Sequence, residues 1–405
     1  MVQDKTEGDD RITITELVGL TIAGLCASLI GIGLARFAYT PLLPALVEGN
    51  WFDAADAAYL GAANLAGYLV GALMAGTLVK KFPVVATLRV MMLAVAASFI
   101  ACAWPASFIW FSLWRLLSGF AGGVLMVLAA PTVLAHIPTL RRGLVSGAIF
   151  SGIGIGIAIS GTLMPLLLQQ GITQTWLGLG MLSLLLTAIA WRGWPRVDVS
   201  VTVVDSSPVS IPLWSLRAVY IEYALCAFGL VPHMIFLVDF VARGLEQGLS
   251  IGSGYWVIVG FGAITGPLVL GYLADHFGYR AVLRLCLLVE TFAIVLPVFS
   301  ADKIALAVSC VLVGAFIPGS VILALGRIRE LFINHPAGQK KTWGIATTGF
   351  ALFQAAGAYS LSYVFDHSDG DYTLLFMLGG VALSLALIVD VGAVFTRHRR
   401  AELNG

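Results

Sequence analysis

Seven polar residues stand inside long apolar runs of this 405-residue chain and could bind or move charge: Arg36, Tyr39, Arg115, Glu222, His233, Asp239 and Gln354. Arg36 lies in the stretch Gly31–Pro44, GIGLARFAYTPLLP, with Tyr39 three residues on and on the same helical face. An arginine in a membrane helix costs from roughly 3 kcal/mol on insertion scales to far more in simulation, so a chain that keeps one uses it or gives it a dedicated partner. A guanidinium is planar and permanently charged, and it binds a carboxylate through two parallel hydrogen bonds. Arg36 and Arg115 therefore suit an anion, or else each pairs with a structural acid or carbonyl. Glu222, Tyr223, Pro232, His233 and Asp239 share one run. Carboxyls in apolar surroundings exchange protons near neutral pH, and histidine titrates there unperturbed. Glu222 and His233 are thus the proton-carrier candidates, against a buried ion pair or a polar patch around Pro232. Asp239 lies toward the outer end of that run, and Gln354 is a candidate substrate contact. Glu290, Asp390 and Arg327 are expected in structural pairs.

The setting is a membrane. The chain is 59% hydrophobic and 11% charged, with mean hydropathy +0.94, whereas soluble domains carry about 25% charged residues. That excludes soluble classes, and a net charge of +1 gives no reason to expect a nucleic-acid partner. The five cysteines have no CxxC spacing and lie in apolar runs, so neither disulfides nor a metal site is expected. HExxH, GxSxG and Walker signatures are missing, and each GxG pair fails as a dinucleotide fingerprint. The chain reads as a non-enzyme without a cofactor, and any pumping must draw on a gradient. Residues 1–16 are acid-rich, unlike a signal peptide, so the first run is read as a retained span.

Runs of about 20 apolar residues make membrane helices, and twelve can be read between residues 17 and 396. The fold class is an all-α integral membrane protein of twelve transmembrane helices in two pseudo-symmetric six-helix bundles. The expected division is a tail 1–16, a bundle 17–194, a linker 195–213, a bundle 214–396 and a tail 397–405. Lys80, Lys81, Arg141, Arg142, Arg192, Arg280, Lys340, Lys341 and Arg397 fall on one side; the other side has Arg243, Lys303 and many acids. The positive-inside rule then puts both termini in the cytoplasm. Trp51, Trp104, Trp110, Trp191, Trp194 and Trp214 near span ends form an aromatic belt. The halves repeat at an offset of 195: Gly76, Leu78, Phe82, Ala86, Leu88 and Arg89 match Gly271, Leu273, Phe277, Ala281, Leu283 and Arg284, and Gly119 matches Gly314. Gly33-Leu34 matches Gly229-Leu230 one residue further on, which sets Arg36 opposite Pro232 beside His233. Duplicated helical halves suit a transporter that rocks about a central site.

Six plus six spans with both termini inside resemble the major facilitator superfamily, a likeness covering nearly the whole chain. The stretch GYLADHFGYRAVLR resembles its loop signature between the second and third helices of a half, with Gly271, Asp275, Gly278 and Arg280 at the key positions. The resemblance implies a cytoplasmic gate in which the loop's acid and base pair with neighbouring helix ends. The first-half copy departs from it, with Lys80 for the acid and Pro83 for the glycine. Arg115-Leu-Leu-Ser-Gly119 resembles the fourth-helix arginine signature associated with proton coupling. The glycine-rich fifth span lacks the glycine–proline pair that marks drug antiporters. The stretch Arg36–Pro44 resembles the YbfB/YjiJ-type branch. In this superfamily the first, fourth, seventh and tenth helices line the central cavity, which implies that Arg36, Arg115 and His233 face it. The resemblance implies a secondary transporter and gives no substrate; Arg36 and Arg115 add a small organic anion, and Glu222 or His233 a proton, so the reading is proton-coupled symport across a bacterial-type inner membrane. Its partners would be that substrate, protons and the lipid bilayer, and the protein would be a monomer. Proton-antiport efflux of amphipathic compounds is the alternative, and a membrane sensor on a transporter fold is the alternative of another class.

Overall fold

The computed structural model describes residues 13–138, 141–195, 213–332 and 335–403. Most of the expected linker and of the first tail lies outside these residues. In a bilayer every backbone amide and carbonyl must be satisfied within the protein, so the apolar runs become helices. They are α1 (Ile14–Glu48), α2 (Ala54–Lys81), α3 (Val84–Ala101), α4 (Phe108–Leu134), α5 (Arg142–Leu168), α6 (Ile172–Ala190), α7 (Trp214–Gly244), α8 (Leu249–Phe277), α9 (Tyr279–Phe299), α10 (Lys303–Leu331), α11 (Pro336–His367) and α12 (Tyr372–Leu403). Among the described residues, eleven of these are long and apolar enough to cross a membrane. The twelfth, α11, is long enough but more polar, with Thr342, Gln354 and Ser362 buried. It packs against α2 of the first bundle and α7 of the second, so its polar side chains meet protein rather than lipid.

Helices α1–α6 pack on one another, as do α7–α12, and the two bundles meet chiefly through α5 on α8 and α2 on α11. Glycine contacts carry the internal repeat into three dimensions. A methyl group added at Gly119 would stand 1.8 Å from the Asn64 carbonyl oxygen; one at Gly314 would stand 2.1 Å from that of Val259. The same holds for Gly67 against Leu116 O (2.0 Å) and Gly262 against Val311 O (2.3 Å). Every partner of the first pair in each case is shifted by 195 to give the second. The second helix of each half is thus pressed onto the fourth by the same glycines.

The first helix of each half is broken at the matched position. In α1, π geometry at Leu29–Leu34 leads into a turn at Ala35–Ala38, and the helix resumes at Tyr39. Pro41 explains the interruption: its ring crowds the carbonyl four residues back and it has no amide to offer. That carbonyl, of Phe37, accepts from the Thr40 amide instead (3.4 Å). Helix α7 leaves α geometry after Gly229 and runs through π segments at Pro232–Phe236 and Phe240–Gly244. Such π insertions occur mostly at functional sites.

The bundles are closed against each other at the middle and at the predicted outer end. The Thr40 hydroxyl donates to the Met234 carbonyl, Trp256 Nε1 donates to Ser160 Oγ at 3.1 Å, and the Phe37 and Trp256 rings lie 5.9 Å apart. Toward the other end of these helices, Gly147, Gly271, Gly344 and Gly349 have no neighbouring helix within 4 Å of the position a Cβ would take.

Since Gly119 and Gly314 touch backbone rather than movable side chains, Gly119→Ala and Gly314→Ala should each destabilise the protein by about 1–3 kcal/mol. Gly76→Ala, which meets open space, should leave the melt unchanged. Thermal unfolding of the detergent-purified variants checks both.

Candidate functional site

The turn at Ala35–Ala38 takes the Ala35 carbonyl out of the helical ladder and turns Arg36 off the helix axis. Two close approaches hold this segment: Gly31 lies against Gly122 of α4, and Gly33 against Gly156 of α5. The Ala35 carbonyl accepts from Arg115 Nη1 (2.9 Å) and from Asn64 Nδ2 (3.2 Å), and the same Asn64 amide donates to the Arg115 carbonyl (3.2 Å). Arg115 is 2% exposed, and its guanidinium lies 4.3 Å from the centre of the Tyr39 ring. The Tyr39 hydroxyl donates to the Ala57 carbonyl at 2.7 Å. Arg115 and Tyr39 are therefore committed to holding the break in α1. Of the two readings the sequence allows for Arg115, the structural carbonyl is the partner found.

Arg36 is different. Its guanidinium sits between the rings of Phe37 (5.4 Å) and Tyr68 (5.3 Å). Its Nε and Nη2 are buried without a hydrogen-bond partner, and no carboxylate pairs with it among the described residues. A buried, unsatisfied donor costs about 1–3 kcal/mol, and more when charged. The residue as a whole is partly exposed, while these two nitrogens are covered. One unpaired cation thus stands between two aromatic rings of the first half. Tyr223 of α7 is packed on Phe350 (4.5 Å) and Trp343 (5.8 Å) of α11.

His233 is not part of that group. It is fully buried inside the second bundle, with Nε2 2.8 Å from Ser309 Oγ of α10 and its ring edge-on to Phe376 of α12. The Ser309 hydroxyl donates in turn to the Ala293 carbonyl of α9 (2.7 Å). The structure therefore does not bring Arg36 and His233 into one cavity, although the repeat sets them at one depth. The His233 side chain points into the second bundle, while the following Met234 meets Thr40 at the interface. Asp239, fully buried, is paired with Arg243 and accepts from the Tyr372 hydroxyl (2.6 Å), tying α7 to α12. Gln354 donates to the Met234 sulfur (3.3 Å), and its Oε1 is buried without a partner. Glu222 has Asp390, Arg327, Arg280 and Arg284 as electrostatic neighbours.

The loop signature is built as an interhelical clamp. Gly278 has φ +82°, a left-handed conformation that favours glycine. Arg280 and Arg284 of α9 both reach Asp390 of α12, at 3.4 and 2.6 Å, and Glu330 of α10 caps the Tyr279 amide at 3.0 Å. Gly271 faces open space, and the Asp275 side chain lies outside the described residues. Arg327 pairs with Glu330 (2.9 Å), as expected of it, and Asp390 is also paired. Glu290 is not: it is fully buried in α9 with neither oxygen hydrogen-bonded, which corrects the expectation of a structural pair.

Sequence reasoning missed Asn64, Tyr68, Thr40, Trp343 and Phe350. Asn64 carried a signal, as an amide in an apolar run beside the Gly67–Gly71 spacing. The aromatic residues carried none, because rings are ordinary in membrane helices.

Two six-helix bundles, broken first helices and a polar centre define a transporter of the major facilitator fold. The structure is similar to the crystal structure of a D-xylose-proton symporter (15% identity, 92% of this chain and 97% of that chain, TM-score 0.71). It is also similar to the partially occluded inward-open xylose transporter XylE from E. coli (14%, 92% and 97%, 0.70) and to the nucleoside transporter NupG (13%, 92% and 99%, 0.73). At these identities the likeness shows the fold. The model of the family described as the uncharacterised MFS-type transporter YbfB matches residues 28–391, and the chain belongs to that family. No curated protein matches the sequence.

Because Arg115 and Asn64 share one carbonyl, their removal should not be additive. Arg115→Leu and Asn64→Leu should each lower stability by about 1–3 kcal/mol. A double-mutant cycle on thermal unfolding should show a coupling of about 1 kcal/mol.

Proposed function

We propose that this protein is a proton-coupled secondary transporter of a small organic anion, working by alternating access with symport as the direction. The observation that carries the reading is the Arg36 guanidinium, buried beside Tyr68 with Nε and Nη2 unpartnered. A carboxylate or similar anion would satisfy both nitrogens through a bidentate pair. Arg115 and Tyr39 act as positioning residues that fix the turn carrying Arg36. Asp239, through Arg243 and Tyr372, braces the predicted outer end, and Gln354 holds α11 against Met234 at the closed interface. Glu222 and His233 carry the proton, and the Gly271–Arg280 loop serves as the cytoplasmic gate through Arg280 and Asp275.

The chain resides in the inner membrane with its termini, including the tails 1–16 and 397–405, in the cytoplasm. A proton symporter on the same fold supports proton coupling. A second reading, proton-antiport efflux of amphipathic compounds, is favoured by one feature: the rings of Phe37 and Tyr68 on either side of the cation.

Removing an unpaired cation should relieve the unliganded protein while abolishing recognition. Arg36→Met should melt no lower than the wild type, and a thermal-shift panel of organic anions should stabilise the wild type alone. The loss of two charge-assisted hydrogen bonds predicts affinity lower by roughly a hundredfold. With a hit in hand, proteoliposome uptake that accumulates substrate only under an inward proton gradient supports symport. Full transport by Arg36→Met would refute the role given to Arg36.

A further inference from the structure

A cavity of about 590 Å³ opens at the arginine-rich end of the first bundle, lined by Pro83, Val85, Ala86, Arg89, Arg192, Trp194 and Pro195. Among the described residues no acid lines it, and its two charges are both positive. The repeat explains how it arose. Shifted by 195, Arg89 corresponds to Arg284 and Val85 to Arg280; in the sixth helix of each half, where Gly180 on Ile100 matches Gly380 on Val295, the shift is 200 and Ala190 corresponds to Asp390. In the second bundle those three residues form the clamp in which two arginines grip one buried carboxylate, with Arg284 Nε 2.6 Å from Asp390 Oδ2. In the first bundle Ala190 stands where the carboxylate would be, and Arg89 has no acid to grip among the described residues.

Arg89 makes do with neutral partners. Its Nη2 donates to the Trp191 carbonyl (2.6 Å), its guanidinium lies 4.7 Å from the Trp191 ring centre, and its Nε is buried without a partner. Arg192 is exposed beside it, with no hydrogen bond or ion pair among the described residues. Lys80 and Lys81, at the end of α2, add further positive charge close by. The helices around the cavity present large apolar side chains outward: Phe82 (56% exposed), Val90 (56%), Ile189 (53%) and Trp191 (40%). A tryptophan at this level marks the headgroup zone of a bilayer.

We propose that this cavity binds the headgroup of an anionic phospholipid, whose phosphate takes the place of the missing Asp390 counterpart between Arg89 and Arg192. Basic pockets between helix ends on the cytoplasmic side bind such headgroups. The apolar surface beside the cavity gives the acyl chains a seat that a free anion would not use. The bound phosphate bridges the ends of α3 and α6, as Asp390 bridges α9 and α12 in the other half. The proposal is independent of the transported substrate.

The test uses purified full-length protein and phosphatidylglycerol, with phosphatidylcholine as the neutral lipid. Native mass spectrometry should show phosphatidylglycerol retained in preference to phosphatidylcholine, and added phosphatidylglycerol should raise the melting temperature. Arg192→Gln, a surface change, should reduce phosphatidylglycerol affinity about fivefold, and Arg89→Gln/Arg192→Gln should reduce it further. Lys303→Gln, at the opposite end, should have no effect. Wild type and Arg192→Gln retaining phosphatidylglycerol equally would overturn the proposal. Stabilisation by inorganic phosphate equal to that by the lipid would overturn the lipid assignment.

Discussion

The arrangement around Arg36 depends on how the Ala35 carbonyl is satisfied. A break in a membrane helix exposes backbone groups that lipid cannot solvate, each at a cost of several kcal/mol. Pro41 forces the interruption, and the turn at Ala35–Ala38 follows. Arg115 from α4 and Asn64 from α2 then supply the donors that the helix withholds. Only with that repair in place can the next residue point away from the helix axis and leave its guanidinium without a partner. Arg115 and Arg36 are thus two arginines with opposite tasks. One is spent on the backbone, and the other is kept free by the first.

The second half breaks its first helix at the matching place and repairs it by different means. Val259 stands where Asn64 is, and Cys310 where Arg115 is, so no side chain of the same kind reaches the α7 break from α8 or α10. Instead the Met234 carbonyl is capped from the other bundle by Thr40, and the Met234 sulfur takes the Gln354 amide. The repair in the first half survives any rocking, because its donors move with it. That in the second half does not: when the bundles part at this end, Met234 loses Thr40 and must find water. The closed conformation is therefore specified by a bond between the two broken helices themselves.

Much of this was legible in the sequence. Twelve spans, the two halves and their common offset follow from apolar run length and from glycines that touch backbone, and both constraints act locally. The loop signature and its defective first copy were equally readable, since Pro83 cannot take the positive φ of Gly278. What was not legible is where buried side chains point. Arg36 aligns in the repeat with Pro232, beside His233, but a π segment from Pro232 rotates the residues that follow it, and periodicity cannot report a rotation it does not share. Likewise Arg115 reads as a free cavity charge until the carbonyl freed by the α1 break is known. Glu290 was assigned a partner by its place on the bundle, and burial left it none.

The separation of Arg36 from His233 constrains the proposed mechanism. An anion held at Arg36 would sit at the bundle interface, whereas His233 lies behind it among Ser309 and Phe376. Proton and substrate would then not meet by direct contact, and coupling would have to pass through the shape of α1 and α7. The route is short. Thr40 is four residues beyond Arg36, and Met234 is the neighbour of His233 in sequence. A charge on either side chain would bear on the helix segment that carries one end of the Thr40–Met234 hydrogen bond. Because that bond exists only while this end is closed, anything that strains it biases the opening, and both ligands would act on one shared element as linkage requires.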